Sequence, residues 1–254
     1  MVGQPQWKPL DPPNPEEDAV ARRRNTRSWA RWTVAAVALA ITLAVALPYI
    51  YINVIQGDTP DRLAVVTAQA ATDTTSGSTG TSLDGTWNVD SGSQAGYRVK
   101  EVLFGQSTEA VGRTTAVTGQ VTVSGRQVES GSFTVDLTKV TSDEDRRDSQ
   151  FQGRIMDTAA SPTATFKLLQ PITLEELPAD GETVTATAQG ELTLHGTTKQ
   201  VTVEVTAQRN SDAFEVSGSI PVAFADYDIP NPSFGAVTTE DNGEIEFLLT
   251  FARA

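Results

Sequence analysis

The sequence predicts an all-β domain, an antiparallel barrel of about eight strands with one short helix, carried behind a single transmembrane helix and a flexible linker. Three observations predict it. From Gly85 onward, apolar residues recur at every second position in run after run, the period of a strand with one dry face. Several of these runs extend over nine or more residues, which favours a barrel over a sandwich of shorter strands. Upstream, the stretch from Trp32 to Ile55 contains no charged residue, the pattern of a membrane span.

Residues 1–28 are polar and rich in proline (Pro5, Pro9, Pro12, Pro13, Pro15), with no apolar period. Such a segment buries too little to order itself and reads as a disordered cytoplasmic tail. Residues 29–55 read as an anchor. As a helix, its uncharged run would be about 36 Å long at about 1.5 Å per residue, enough to cross a hydrocarbon core with some tilt. Trp29 and Trp32 at one end, and Tyr49 and Tyr51 at the other, suit the two interfaces. Pro48 would kink the last turns, which a membrane helix tolerates. Arg22, Arg23, Arg24, Arg27 and Arg31 precede the run, while Asp58 and Asp61 follow it. That asymmetry places the N-terminus in the cytoplasm and the rest of the chain outside. Ala44-Val45-Ala46 resembles a signal-peptide cleavage site, but apolar sequence continues to Ile55, which favours an uncleaved anchor.

Residues 56–84 begin with a weakly apolar patch (Leu63, Val65, Val66) and become Thr/Ser/Gly-rich from Thr72 to Ser82. This is the composition of a flexible tether, with a reach of roughly 30 Å for about 29 residues. Residues 85–254 then form the barrel. Thr86 to Asp90 is a lead-in, and Tyr97 to Phe104 a mixed run. Val117, Gly119, Val121, Val123 and Gly125 share a face, as do Phe133, Val135 and Leu137, and Ala164, Phe166 and Leu168. Later come Phe214, Val216, Gly218, Ile220, Val222 and Phe224, and then Ile245, Phe247, Leu249 and Phe251. One break interrupts the pattern. Ser142 to Gly153 opens with a cap-like Ser and acids, and Phe151 and Ile155 fall four apart, so a short helix lies over the domain with these two residues inward.

The most regular stretch is Gly190 to Ala207. Leu192 and Leu194 share one face of a strand, and Val201, Val203 and Val205 share one face of the next. Gly196 supplies the turn of this hairpin. Upstream, the dry face continues through Gly190, Ala188 and Ala186, small residues where a solid core usually holds larger ones. Either a neighbouring element comes very close there, or the interior keeps some room.

Charge narrows the function. The chain carries a net charge of −13, and residues 85–254 hold twelve Lys/Arg against twenty-four acids. An acidic domain without a basic stripe repels phosphate and excludes nucleic acid as a partner. There is no cysteine and one histidine, His195, so disulfides, thiolate catalysis and the usual zinc sites are excluded. His195 sits on the wet face of a strand end with no serine motif nearby, and reads as a surface polar residue rather than part of a triad. Asp143, Glu144, Asp145 and Asp148 are interleaved with Arg146 and Arg147 and lack calcium-loop spacing, so they read as a solvated, helix-capping face. The chain is therefore expected to be neither an enzyme nor a metal or cofactor protein. Asp226 to Phe234, rich in proline, aromatics and acid, is either a lid over an opening or a stiff connector. An outer-membrane barrel would also alternate, but the anchor and the lack of aromatic girdles argue against it.

Three pieces of the domain carry a family resemblance. They are Gly85-Thr-Trp-Asn-Val-Asp90 at the domain start, Arg147-Asp148 followed by Ser161-Pro162-Thr163-Ala164-Thr165-Phe166, and Gly190-Glu-Leu-Thr-Leu-His-Gly-Thr-Thr-Lys-Gln-Val201. In this order and spacing they resemble the YceI-like polyisoprenoid-binding family, over Gly85 to Phe251. Where many members carry a His two residues after the Arg-Asp pair, this chain has Gln150, and its tethered organisation differs from the freely soluble periplasmic members. The resemblance implies a lipocalin-like barrel around a long apolar cavity. It also implies an isoprenoid or other long-chain apolar lipid as partner, a polyprenyl chain or an isoprenoid quinone held for carriage or storage. Such a ligand needs dryness and length, each buried CH₂ contributing about 0.8 kcal/mol. Candidate lining residues are Phe104, Phe133, Phe166, Ala188, Leu192, Leu194, Val222, Phe224, Phe247 and Leu249. Arg147-Asp148 is expected to pin the helix to the barrel. The alternative is a filled, ligand-free structural or protein-interaction module on a membrane stalk.

Overall fold

The structure is a computed structural model that describes residues 31–44, 46, 59–65, 82–103, 105–211, 213–235 and 237–254. The chain divides into two compact units, Met1–Ile55 and Gln56–Ala254. In the first, residues 31–44 form helix α1, whose Trp32, Val34, Val37, Leu39, Ile41 and Leu43 are exposed. Among the described residues no helix is long and apolar enough to cross a membrane. The expected tail 1–28 and most of the second half of the expected anchor lie outside the described residues.

Among the described residues of the second unit thirteen strands form one antiparallel sheet. They are β1 (Gly85–Val89), β2 (Gln94–Leu103), β3 (Gln106–Thr114), β4 (Val117–Ser124), β5 (Gln127–Asp136), β6 (Thr141–Ser142), β7 (Thr163–Leu168), β8 (Ile172–Thr173), β9 (Thr183–Leu194), β10 (Thr197–Asn210), β11 (Ala213–Ala223), β12 (Val237–Thr239) and β13 (Asn242–Arg253). Eight of them close a ring in the order β1-β4-β5-β7-β9-β10-β11-β13, because β1 pairs with both β4 and β13. The all-β class, the eight-stranded closure and the short helix agree with the sequence. The long strand β13 is shared: its last residues pair with β1 and its first half with β2, so β2, β3 and β6 continue the wall at one end.

The hairpin β9–β10 has the expected register, Gly190 facing Val201, Ala188 facing Val203 and Ala186 facing Val205. Its two-residue turn places His195 and Gly196 at φ 50° and 77°, the left-handed pair of the turn that matches strand twist. His195 Nδ1 lies 3.1 Å from the Tyr227 carbonyl, to which it donates.

One end of the barrel is filled by its own side chains. Val99, Leu137, Phe151, Met156, Leu194, Val222, Phe224, Tyr227 and Ile229 pack there as one buried cluster. Helix α2 (Asp145–Gln150) runs into a π-helical turn over Phe151–Ile155 and lies across this end. Phe151 stacks on Tyr97 at 5.0 Å, and Ile155 packs against the same cluster, as the four-residue spacing predicts. Asp148 accepts hydrogen bonds from the Ser142 amide and hydroxyl, at 2.8 and 2.6 Å. Arg147 pairs with Asp143 and, at 3.5 Å, with Glu101 on the inward face of β2. Each member of the Arg-Asp pair thus fastens the helix to the wall. The Asp226–Phe234 segment also belongs to this closed end. Its Tyr227 and Ile229 are core residues, which makes it a floor rather than a lid.

Desolvation raises the Glu101 carboxyl above the ordinary glutamate range, and the Asp143 and Glu144 carboxylates add to this against the opposing pull of Arg147. A carboxyl raised on folding favours the native state below its unfolded pKa, and that contribution is lost as pH rises through the folded value. Against Glu101→Gln, the native chain should therefore lose relative stability as pH rises from the ordinary glutamate range through the raised folded value. Denaturation midpoints of both chains across that range measure it; a difference that does not change with pH would contradict the assignment.

Residues 59–65, which the sequence reading places in the tether, lie along the outer wall. The Pro60 carbonyl accepts from Arg98 at 2.7 Å, the Asp61 carbonyl from Arg113, and the Val65 amide donates to Ser217 Oγ at 3.2 Å. Arg62 pairs with Glu244. Beneath this strap the outward-pointing Arg98 and Glu246 are 4% and 2% exposed. The rest of the Ser/Thr/Gly-rich stretch, 66–81, lies outside the described residues.

Candidate functional site

Above the filled end the inward faces of the strands meet only in part, in a second apolar cluster that includes Trp87, Val121, Leu249 and Phe251. They enclose a cavity of about 190 Å³, far above the 10–15 Å³ that a single water requires. Its wall is hydrocarbon almost throughout. Val117, Val121 and Val123 come from β4, Phe133 and Val135 from β5, Ala164 and Phe166 from β7, and Val184, Ala186, Ala188 and Leu192 from β9. Val203, Val205 and Ala207 of β10, Phe214, Val216 and Ile220 of β11, and Ile245, Phe247, Leu249 and Phe251 of β13 complete the circle.

The ambiguity of the small residues on β9 resolves in both directions. A Cβ on Gly190 would lie 2.2 Å from Phe166 Cζ, so at Gly190 the neighbour comes close and the ring fills the gap. Ala188 and Ala186 both border the cavity. Aromatic rings form one flank of the space. Phe133 stands 6.4 Å from Phe166 and 5.8 Å from Phe251, and Phe251 stacks on Phe214 at 4.7 Å.

Of the ten candidates, Phe133, Phe166, Ala188, Leu192, Phe247 and Leu249 stand in the wall. Leu194, Val222 and Phe224 do not border the cavity. Leu194 ends β9, Val222 is next to last in β11, and Phe224 begins a 3-10 turn. All three have the right facing but the wrong height, at the end packed by Phe151, Met156, Tyr227 and Ile229. Phe104 lies outside the described residues. The sequence reading missed Val205, Ala207 and Val216, although each extends an alternating face already recognised. It also missed Leu83, Leu174, Leu177 and Pro178, which reach the cavity from loops and carry no periodic signal.

Leu177 borders the cavity yet is 36% exposed, which marks the opening. It lies at the end opposite the filled core, where Leu83 and the loop after β8 approach the start of β9. Among the described residues Arg209 is the one charged residue in the wall, and its Nε lies 3.4 Å from the Ser211 carbonyl. Among the described residues no group of three or more His, Asp or Glu side chains could hold a metal. What remains is a carbon-lined chamber, suited to retaining an apolar molecule by burial alone.

Known proteins share this architecture. Residues 87–251 match the family model described as YceI-like domain. A polyisoprenoid binding domain from Saccharophagus degradans, implicated in plant cell wall breakdown, superposes with a TM-score of 0.54 at 17% identity, over 66% of this chain and 98% of that one. BcnA from Burkholderia cenocepacia is similar over 61% of this chain and 95% of its own, at 21% identity and a TM-score of 0.47. No curated protein matches the chain. With the family model spanning most of the sequence and the barrel closing as its members' resemblance implies, the chain belongs to the YceI-like domain family.

Proposed function

We propose that this chain is a membrane-tethered, extracytoplasmic binding protein that holds a long apolar isoprenoid-type lipid, a polyprenyl chain or an isoprenoid quinone, for carriage or storage. The observation that carries the reading is the carbon-walled cavity of about 190 Å³. A filled structural module would not keep Ala186 and Ala188 facing open space. The ligand class draws support from the family and from the Saccharophagus degradans domain of the same fold, a polyisoprenoid binding domain. The tether draws support from the uncharged Trp32 to Ile55 run, the arginines before it, and the exposed apolar side chains of α1. Among the described residues the wall offers one guanidinium and no carboxylate or imidazole, a lining suited to binding.

The test is recovery of the full chain from its natural host, followed by native mass spectrometry from mild detergent. The chain should be found in the membrane fraction and carry an apolar adduct releasable by organic solvent. Absence of any adduct, together with no uptake of added quinone or polyprenol, removes carriage and leaves the stalked-module alternative. Recovery from the soluble fraction removes the tether.

A further inference from the structure

The rim of the cavity bears on which lipids enter it. The segments that frame the mouth are residues 82–84 ahead of β1, the β4–β5 turn, the loop from Leu174 to Glu182, and the β10–β11 turn with the end of β13. Their described charged residues are Asp84, Glu175, Glu176, Asp180 and Glu182 against Arg126, Arg209 and Arg253. All five carboxylates are exposed.

The three guanidiniums are turned to the protein's own backbone. Arg126 donates to the Glu175 carbonyl at 2.6 Å, Arg253 to the Ser82 carbonyl at 2.6 Å while stacking over Trp87, and Arg209 to the Ser211 carbonyl. Three of the acids are likewise tied down. Asp84 accepts from Ser82 and from the Gly125 amide, Asp180 from the Ser211 amide, and Glu182 from the Ala179 amide at 3.1 Å. Glu175 and Glu176 project from the same short loop that supplies Leu174, Leu177 and Pro178 to the wall.

Resting on the reading of the barrel as a lipid carrier, we propose that the mouth selects lipids with an uncharged headgroup, of the polyprenol or quinone kind, over phosphate and diphosphate esters of the same tail. With the tail inside, a headgroup stops at the rim. An uncharged one meets neither attraction nor repulsion there. A diphosphate, carrying several negative charges, meets an excess of fixed carboxylates at short range, in a setting screened only by salt. Arg209 does not reverse this balance, since Asp180 and Glu182 approach the same turn from the facing loop.

The test uses the full chain in nanodiscs, loaded by competition between a polyprenol and the polyprenyl diphosphate of equal length. At about 0.05 M salt the alcohol should be retained with about tenfold preference, and the preference should shrink at about 0.5 M salt. The triple variant Glu175→Gln, Glu176→Gln, Glu182→Gln should bind the diphosphate severalfold better and the alcohol unchanged. An isoprenoid quinone should behave as the alcohol does. A diphosphate that binds as well as the alcohol in the native chain, or a preference that the triple variant leaves unaltered, overturns the proposal while leaving carriage intact. Failure of all three lipids to bind overturns carriage itself.

Discussion

Replacing Glu246 with alanine should lower the stability of the barrel by about 3–5 kcal/mol, the largest effect expected of any single polar substitution in this chain. Glu246 points outward from β13, yet it is 2% exposed because residues 59–65 cover it. Its Oε1 is 2.8 Å from Arg113 Nη2, and its Oε2 3.3 Å from Arg98 Nε. Arg98 is itself 4% exposed, and its remaining partners are Glu109 at 2.7 Å and the Pro60 carbonyl. Removing Glu246 leaves Arg113 without its carboxylate and Arg98 with Glu109 alone. Two guanidiniums then stand side by side in a site that water reaches poorly, and desolvation makes the excess charge costly. Removing charge from both sides, with Arg98→Met and Glu246→Leu together, should recover much of the loss. Urea denaturation of the three chains measures both effects. A second readout follows from the strap. Arg98 and Arg113 hold its carbonyls, and Glu246 holds the two arginines, so trypsin should cut after Arg62 faster in Glu246→Ala. A loss below about 1 kcal/mol with unchanged cleavage would mean that the network contributes little.

This network also shows what the sequence could and could not reveal. Period-two alternation located the strands whose inward faces are apolar and whose outward faces are wet, such as β10 with Val201, Val203 and Val205 inward and Thr202 and Glu204 outward. It failed on β3, where Thr108 and Ala110 face inward and Val111 faces outward under cover. The strap inverts the usual code there: an outer face buried by a distant segment no longer looks like an outer face. Composition misled in the same place, because Thr59 to Val65 reads as tether and nothing local announces that Arg98 and Arg113 will receive its carbonyls. The cavity was half legible. Facing follows from alternation, so Phe133, Phe166, Ala188, Leu192, Phe247 and Leu249 could be chosen. Height along the barrel depends on where α2 and the Phe224–Tyr227 turn fill the bore. That is a long-range packing outcome with no periodic signature, and it separates Leu192, in the wall, from Leu194, in the floor.

The sharpest consequence of the open bore is that Ala188→Phe should abolish lipid uptake while the barrel stays folded. Ala188 lies mid-strand in β9 opposite Val203, is 4% exposed, and borders the cavity. A phenyl ring placed there projects into space that is already free, so its added apolar surface is buried without displacing neighbours. At about 25 cal/mol per Å² this contributes on the order of 1–2 kcal/mol in favour of the native state. If the ring meets the far wall instead, overpacking costs about 1–3 kcal/mol; either sign leaves a measurable folded chain. Uptake should fall by about a hundredfold or more, because each displaced CH₂ of the ligand forfeits about 0.8 kcal/mol and a ring displaces several. Thr187→Phe is the matched control. Thr187 is adjacent in sequence, opposite Glu204 and exposed on the outer face, so the same ring should leave uptake unchanged. Scintillation counting of a labelled polyprenol bound per chain, with thermal unfolding run in parallel, decides the matter. Equal loading by native chain and Ala188→Phe would move the ligand out of the barrel. Equal impairment by both phenylalanine variants would trace the loss to the strand's general integrity rather than to occupation of the bore.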